Sequence, residues 1–134
     1  MRRLRKKLLE RAEGSLEAAR WLLKRGHTDL ALVMAEQAAQ FRIKAAQILV
    51  SGRHSQGHDL RDLLGALRDV TGDERIDAFV REHEKALDVL RVAYTECRYG
   101  AWEPSEETVE WAIETVEELF ETLERVERDH GPPR

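Results

Sequence analysis

Apolar residues along the 134-residue chain fall into five stripes, each spaced by three and four as on one face of a helix. Leu4, Leu8, Ala12, Leu16, Ala19 and Leu23 predict a first helix from about residue 3 to Arg25, stopped by Gly26 in a left-handed turn. Thr28 or Asp29 then offers a side-chain oxygen to the free amides of a second helix. That helix carries Leu30, Met34, Ala38, Phe41, Ala45 and Ile48 on one face and ends near Gly52. The small, polar stretch Ser51 to Gly57 reads as a loop, and Leu60, Leu63, Leu64 and Leu67 define a short helix ending at Thr71-Gly72. Asp73 caps a long fourth helix with the stripe Ile76, Val80, His83, Leu87, Leu90, Tyr94 and Cys97. Arg98 to Pro104 interrupts the pattern, and Ser105 opens a last helix with Val109, Ile113, Val116, Phe120, Leu123 and Val126 along its seam. Glu106 and Glu107 in its first turn meet the positive end of the helix dipole.

No segment alternates with period two, and no proline occurs before Pro104. The fold class expected is all-α, an up-and-down bundle of four long helices plus one short helix in the middle connection. Helices of about 30 Å joined by short loops must run antiparallel to their neighbours. One domain is expected over 1–134, with its core at about 3–128 and a frayed tail at 129–134. Trp21 and Leu22 on the first helix, and Trp111 and Ala112 on the last, flank their stripes. Such surplus apolar surface is what a homodimer interface requires.

Charge narrows the function. The 22 basic and 26 acidic side chains leave a net charge of −4, which argues against indiscriminate coating of nucleic acid but permits a local basic patch. A single cysteine, Cys97, excludes internal disulfides, zinc ribbons and Cys-x-x-Cys redox chemistry, and reads as a small buried apolar side chain. No apolar run has the length of a membrane span, and the basic start MRRLRKKLLERAEG lacks the apolar stretch of a secretory signal, so a cytoplasmic location is expected. The absence of asparagine and the 17 arginines against 5 lysines suit a heat-adapted source or a GC-rich genome. Arg2, Arg3, Arg5, Lys6, Lys7 and Arg11 make the amino-terminal helix basic, whereas glutamates from Glu106 to Glu127 line the last one. That contrast would let the first helix meet an acidic helix in the same chain or a partner. Paired glutamates can hold magnesium, but so many spread around one helix read better as a solubilising face.

Three stretches carry a family resemblance. Ala35-Glu36-Gln37-Ala38-Ala39-Gln40-Phe41-Arg42-Ile43-Lys44-Ala45-Ala46, entered through Gly26 to Ala31, resembles the second-helix signature of the HEPN domain family, of the type Ala-Gln-Gln-Ala-Ala-Glu-x-x-x-Lys-Ala. Gly57-His58-Asp59-Leu60-Arg61-Asp62-Leu63-Leu64 is similar to its His-x-Leu-x-x-Leu-Leu segment, and Tyr94-x-x-x-Arg98-Tyr99 to the Tyr-x-x-x-Arg-Tyr closing its penultimate long helix. In order and spacing they span about residues 15 to 120. Gly100 stands where many members carry proline, and Gln40 where many carry glutamate.

The resemblance implies a helical bundle that usually dimerises, often acts with a small nucleotidyltransferase in toxin–antitoxin-like pairs, and in many branches is a ribonuclease. Catalytic branches place a histidine beyond an arginine, with four to six residues between them, near the last long helix. Guanidinium then neutralises the scissile phosphate while imidazole moves the 2′-hydroxyl proton. Arg98 is the equivalent arginine, but residues 99 to 105 contain no histidine. The same spacing recurs at Arg20 and His27, Arg53 and His58, and Arg125 and His130, about as often as composition alone gives. Arg53 with His58 is the catalytic candidate among them, against a plainer reading in which His58 caps the short helix of a solvated loop.

A non-catalytic nucleotide- or RNA-binding protein is therefore the leading expectation, with no cofactor and no metal. Arg98 can hold a phosphate by a fork of hydrogen bonds while Tyr99 stacks on a base; alternatively, Arg98 complements a helix dipole and Tyr99 seals the bundle end. Gln37 and Lys44, two turns apart on the second helix, could line the same groove or a polar dimer seam. His83 reads as a core or interface histidine. His54 and His58 are four apart, but Gly57 argues against one shared helix face and a metal between them.

Overall fold

The computed structural model describes residues 2–132; Met1 and the tail positions Pro133 and Arg134 lie outside the described residues. The chain is all-α: α1 (Arg2–Lys24), α2 (Thr28–Ser51), α3 (Leu60–Thr71), α4 (Glu74–Glu82), α5 (Glu84–Val92) and α6 (Glu106–His130), with a π-helical turn at Ala93–Cys97 after α5. No described helix is long and apolar enough to cross a membrane.

The second helix is the centre of the packing. Its buried residues, among them Leu32, Ala35, Glu36, Ala39, Arg42, Ile43 and Ala46, point in every direction rather than along one stripe. A helix apolar all round belongs inside a protein, and α2 touches α1, α3, α5, α6 and the π turn. Gly26, at φ 82°, closes α1: its amide donates to the Leu23 carbonyl and that of His27 to Leu22, each at 3.0 Å. His27, not Thr28 or Asp29, then occupies the cap of α2, and it makes no side-chain cap; among the described residues the Asp29 carboxylate accepts from the Leu30 amide alone, at 2.8 Å.

The long fourth helix expected from the sequence is divided. At His83 the backbone leaves helical geometry (φ −121°, ψ 27°), separating α4 from α5. The imidazole tilts against Phe79 with centroids 4.5 Å apart, and Nε2 lies 2.8 Å from Glu118 of α6, a partner the sequence did not offer on the same helix. Phe79, Ala86 and Ala93 take core positions beside the expected Ile76, Leu87, Leu90 and Cys97, while Val80, His83 and Tyr94 are only partly buried. The wider π turn changes the phase of the helix, so Ala93 and Cys97 both face inward and Tyr94 turns aside.

One of the glutamates read as a solvated face is buried. Glu127 is clamped by Arg42, whose Nη1 and Nη2 donate to its two oxygens at 2.9 and 2.5 Å, and by Arg5, whose Nη2 donates at 2.8 Å. Burial pushes this carboxyl up, but the two guanidiniums more than offset that and hold it below the usual value. Arg5 therefore leaves the basic patch to join α1 to α6, and Arg20 pairs with Glu117 across the same two helices. The basic helix thus meets the acidic one within a single chain. At the far end Asp129 pairs with Arg75 at 2.7 Å and His130 with Asp73 at 3.0 Å. Those bonds carry α6 through His130, two residues into the stretch expected to fray. Ala112 belongs to the core, while Trp21 and Trp111 are exposed.

Candidate functional site

Glu36 stands on the central helix among Leu32, Ala35 and Ala39 and is only 2 % exposed. Its Oε2 accepts from Gln40 Nε2 at 2.5 Å, and its Oε1 has no hydrogen-bond partner among the described residues. Burial raises this carboxyl to about 7, against the pull of the Gln40 hydrogen bond, the Arg98 charge and the Gln37 amide; the Asp59 charge adds to the rise.

The loop after α2 is folded back by one side chain. Gln47 accepts from the Ser55 amide at 2.8 Å and donates to the Leu63 carbonyl at 3.0 Å, tying loop to α3. Asp59 then caps α3, accepting from the Asp62 amide at 3.2 Å, so His58 is not the cap. Freed of that role, the His58 ring stacks on Tyr94 with centroids 4.0 Å apart and planes 8° from parallel. Arg98, one turn beyond Tyr94, sets its guanidinium 4.9 Å from the same ring. His58 and Tyr94 border a cleft of about 570 Å³ lined also by Glu36, Asp59, Asp88 and Arg91, among others. Arg61 binds Asp88 at 2.9 Å and Arg91 approaches Asp59 at 3.7 Å, pinning its walls.

The sequence candidates are sorted by this geometry. Arg98 is exposed and lies against Tyr94, which lines the cleft, without lining the cleft itself. Tyr99 is 83 % exposed, so it neither enters the cleft nor seals the bundle end. Gln37 and Lys44 are partly buried and do not line the cleft, though both influence or feel Glu36: desolvation lowers the Lys44 ammonium below its usual value and the Glu36 charge opposes that. Arg53 and His58, with the Gln47-anchored Ser55 between them, line different cavities. Arg53 lines another cavity, of about 330 Å³, with Gln47, Ser51, His54 and Ser55. His54 Nδ1 hydrogen-bonds the Ser55 carbonyl at 2.7 Å, and His54 lines the Arg53 cavity while His58 lines the Tyr94 cleft. Among the described residues no group of three or more histidine, cysteine, aspartate or glutamate side chains is placed to hold an ion. Burial, with the charges of Asp29 and Glu96, pushes the Cys97 thiol up to about 11, which keeps it from acting as a nucleophile near neutral pH.

Two participants were missed from the sequence. Glu36 had a signal, a lone carboxylate inside an alanine-rich buried run; the meeting of His58 with Tyr94 had none, since 36 residues of chain separate them.

Fold and cleft together define an all-α helical domain in which cations and aromatic rings surround a buried acid. The model of the HEPN domain family matches residues 6–126, most of the chain, and the chain belongs to that family. Neither a curated protein nor a solved structure matches it.

Proposed function

We propose that this HEPN protein binds the phosphate of a nucleotide or RNA at the Glu36–Tyr94 cleft, as a homodimer and as partner of a small nucleotidyltransferase in a toxin–antitoxin-like pair. One observation carries the binding: Arg98 and His58, 40 residues apart, converge on the Tyr94 ring at the edge of a cleft that also contains Arg91. A guanidinium fork suits a phosphate, and an aromatic platform suits a base. Family membership supports the partner, and the exposed Trp21 and Trp111 support the dimer. Fluorescence anisotropy with a short labelled RNA tests the binding: Arg98→Ala and Tyr94→Ala should each weaken it about tenfold or more. Unchanged affinity in both would reduce the chain to a dimerising scaffold. Co-purification from the source cell tests the nucleotidyltransferase, and sedimentation tests the dimer.

The convergence favours a second reading as well, a metal-independent ribonuclease whose arginine and histidine come from different segments, Arg98 with His58 in place of Arg53 with His58. Arg98 would neutralise the scissile phosphate while His58 accepts the 2′-hydroxyl proton. It requires RNA cleavage in EDTA, abolished by His58→Ala. Absence of turnover at high protein concentration removes it.

A further inference from the structure

Glu36 is the one buried acid of this cleft, and its two oxygens are not equivalent. Oε2 accepts from Gln40, so a proton carried by the group sits on Oε1, the oxygen without a partner. A neutral acid so arranged is a hydrogen-bond donor, and the guanidiniums of Arg91 and Arg98 nearby attract an anion. We propose that Glu36 works as a neutral carboxylic acid that donates from Oε1 to an oxygen of a bound phosphate mono- or diester, making the cleft a proton-coupled anion site. The inference rests on the phosphate-binding reading above and adds to it a donor and a pH dependence.

The charges around Glu36 set the sign. Lys44 on its own helix and Arg98 beyond the π turn favour its ionised form, and Asp59 at the start of α3 favours the neutral one. Asp88 and Arg91 of α5 and His58 and Tyr94 share the cleft. A phosphate beside Arg98 offsets that cation and brings its own negative charge, and both effects drive a proton onto Glu36. With the free carboxyl at about 7, it is half ionised at neutral pH and must take up a proton when the anion arrives. Binding should therefore weaken as pH rises.

The test uses a deoxydinucleoside monophosphate, which has no 2′-hydroxyl to react and a single diester charge that does not titrate near neutrality. Titration calorimetry of the whole protein at pH 7 in two buffers of different ionisation enthalpy should show uptake of about half a proton per ligand, and affinity should fall about tenfold between about pH 6 and about pH 8. In Glu36→Gln, which keeps a donor at this position, both the uptake and the pH dependence should vanish while binding persists; in His58→Gln the uptake should remain. Binding without proton uptake in the wild-type protein, or uptake that survives Glu36→Gln and disappears in His58→Gln, overturns the role of Glu36 and leaves the phosphate site standing. No binding at any pH overturns the phosphate site itself, and with it this inference.

Discussion

Replacing Glu127 by leucine would strand a charge. Arg42 is 4 % exposed and, among the described residues, has Glu127 as its only ion-pair partner, held by two hydrogen bonds. Removing one partner of a buried pair costs about 3–5 kcal/mol, because the remaining charge is neither solvated nor neutralised. Against a total stability of roughly 5–15 kcal/mol that is a large fraction, and it should lower the melting temperature by about 10 °C. Arg42→Met costs less, since Glu127 keeps Arg5, which is 25 % exposed and can reach water. The double variant Arg42→Met/Glu127→Leu leaves only Arg5 unpaired, which is 25 % exposed and can reach water, and should lie within about 2 kcal/mol of the wild type. Urea unfolding followed by circular dichroism, run as a double-mutant cycle at pH 7, measures all of this. The folded Glu127 carboxyl is held low, so its contribution is present above the unfolded value of about 4.3 and is lost as pH falls through the lower folded value. The penalty of Glu127→Leu should shrink accordingly in acid. A single-variant loss below about 1 kcal/mol, or costs that simply add in the double variant, would refute the reasoning.

Asp73 gives a second acid-linked prediction: hydrogen bonds from Arg75 and His130 hold its carboxyl well below the usual range, so Asp73→Asn should destabilise fully at pH 6 and progressively less as pH drops below about 4, as read by acid-titrated urea midpoints. At Gly100 a Cβ would lie 2.8 Å from the backbone oxygen of Glu96, one turn earlier; Gly100→Ala should cost about 1 kcal/mol or more and weaken RNA binding by displacing the turn that presents Arg98. Unchanged urea midpoint and affinity would contradict it. Replacing Arg98 by alanine should lower the slope of log affinity against log salt by about 1, whereas Arg2→Ala, on the exposed basic face of α1, should leave it unchanged.

Helix positions were largely legible in the sequence because each apolar stripe is phased by the core it faces. Gly26, Asp73 and Ser105 mark helix boundaries where the amide bonds at each end are satisfied as their residue types imply. The division at His83 was not legible: its apolar neighbours keep a continuous spacing, and the ring is drawn aside by Glu118 and Phe79, 35 residues downstream and on the preceding turn respectively. The π turn likewise leaves the spacing of Tyr94 and Cys97 compatible with an ordinary helix. At the site, Arg98, Tyr94 and His58 each stood in a motif, but their meeting could not be read from it. His58 reaches Tyr94 with Gln47 anchoring Ser55 and Asp59 taking the cap; the Asp59 cap has a local signature, but the Gln47 bond across eight residues has none. Glu127 was hidden among eight other glutamates of one helix; burial alone distinguishes it.

Amide chemical shifts of the isotope-labelled protein, followed as a deoxydinucleoside monophosphate is added, locate the ligand without presuming its residues. The largest changes should gather at Glu36, His58, Arg91, Tyr94 and Arg98 and disappear in Arg98→Ala. Changes confined to the exposed basic face of α1, or none at saturating ligand, would contradict a phosphate site in this cleft.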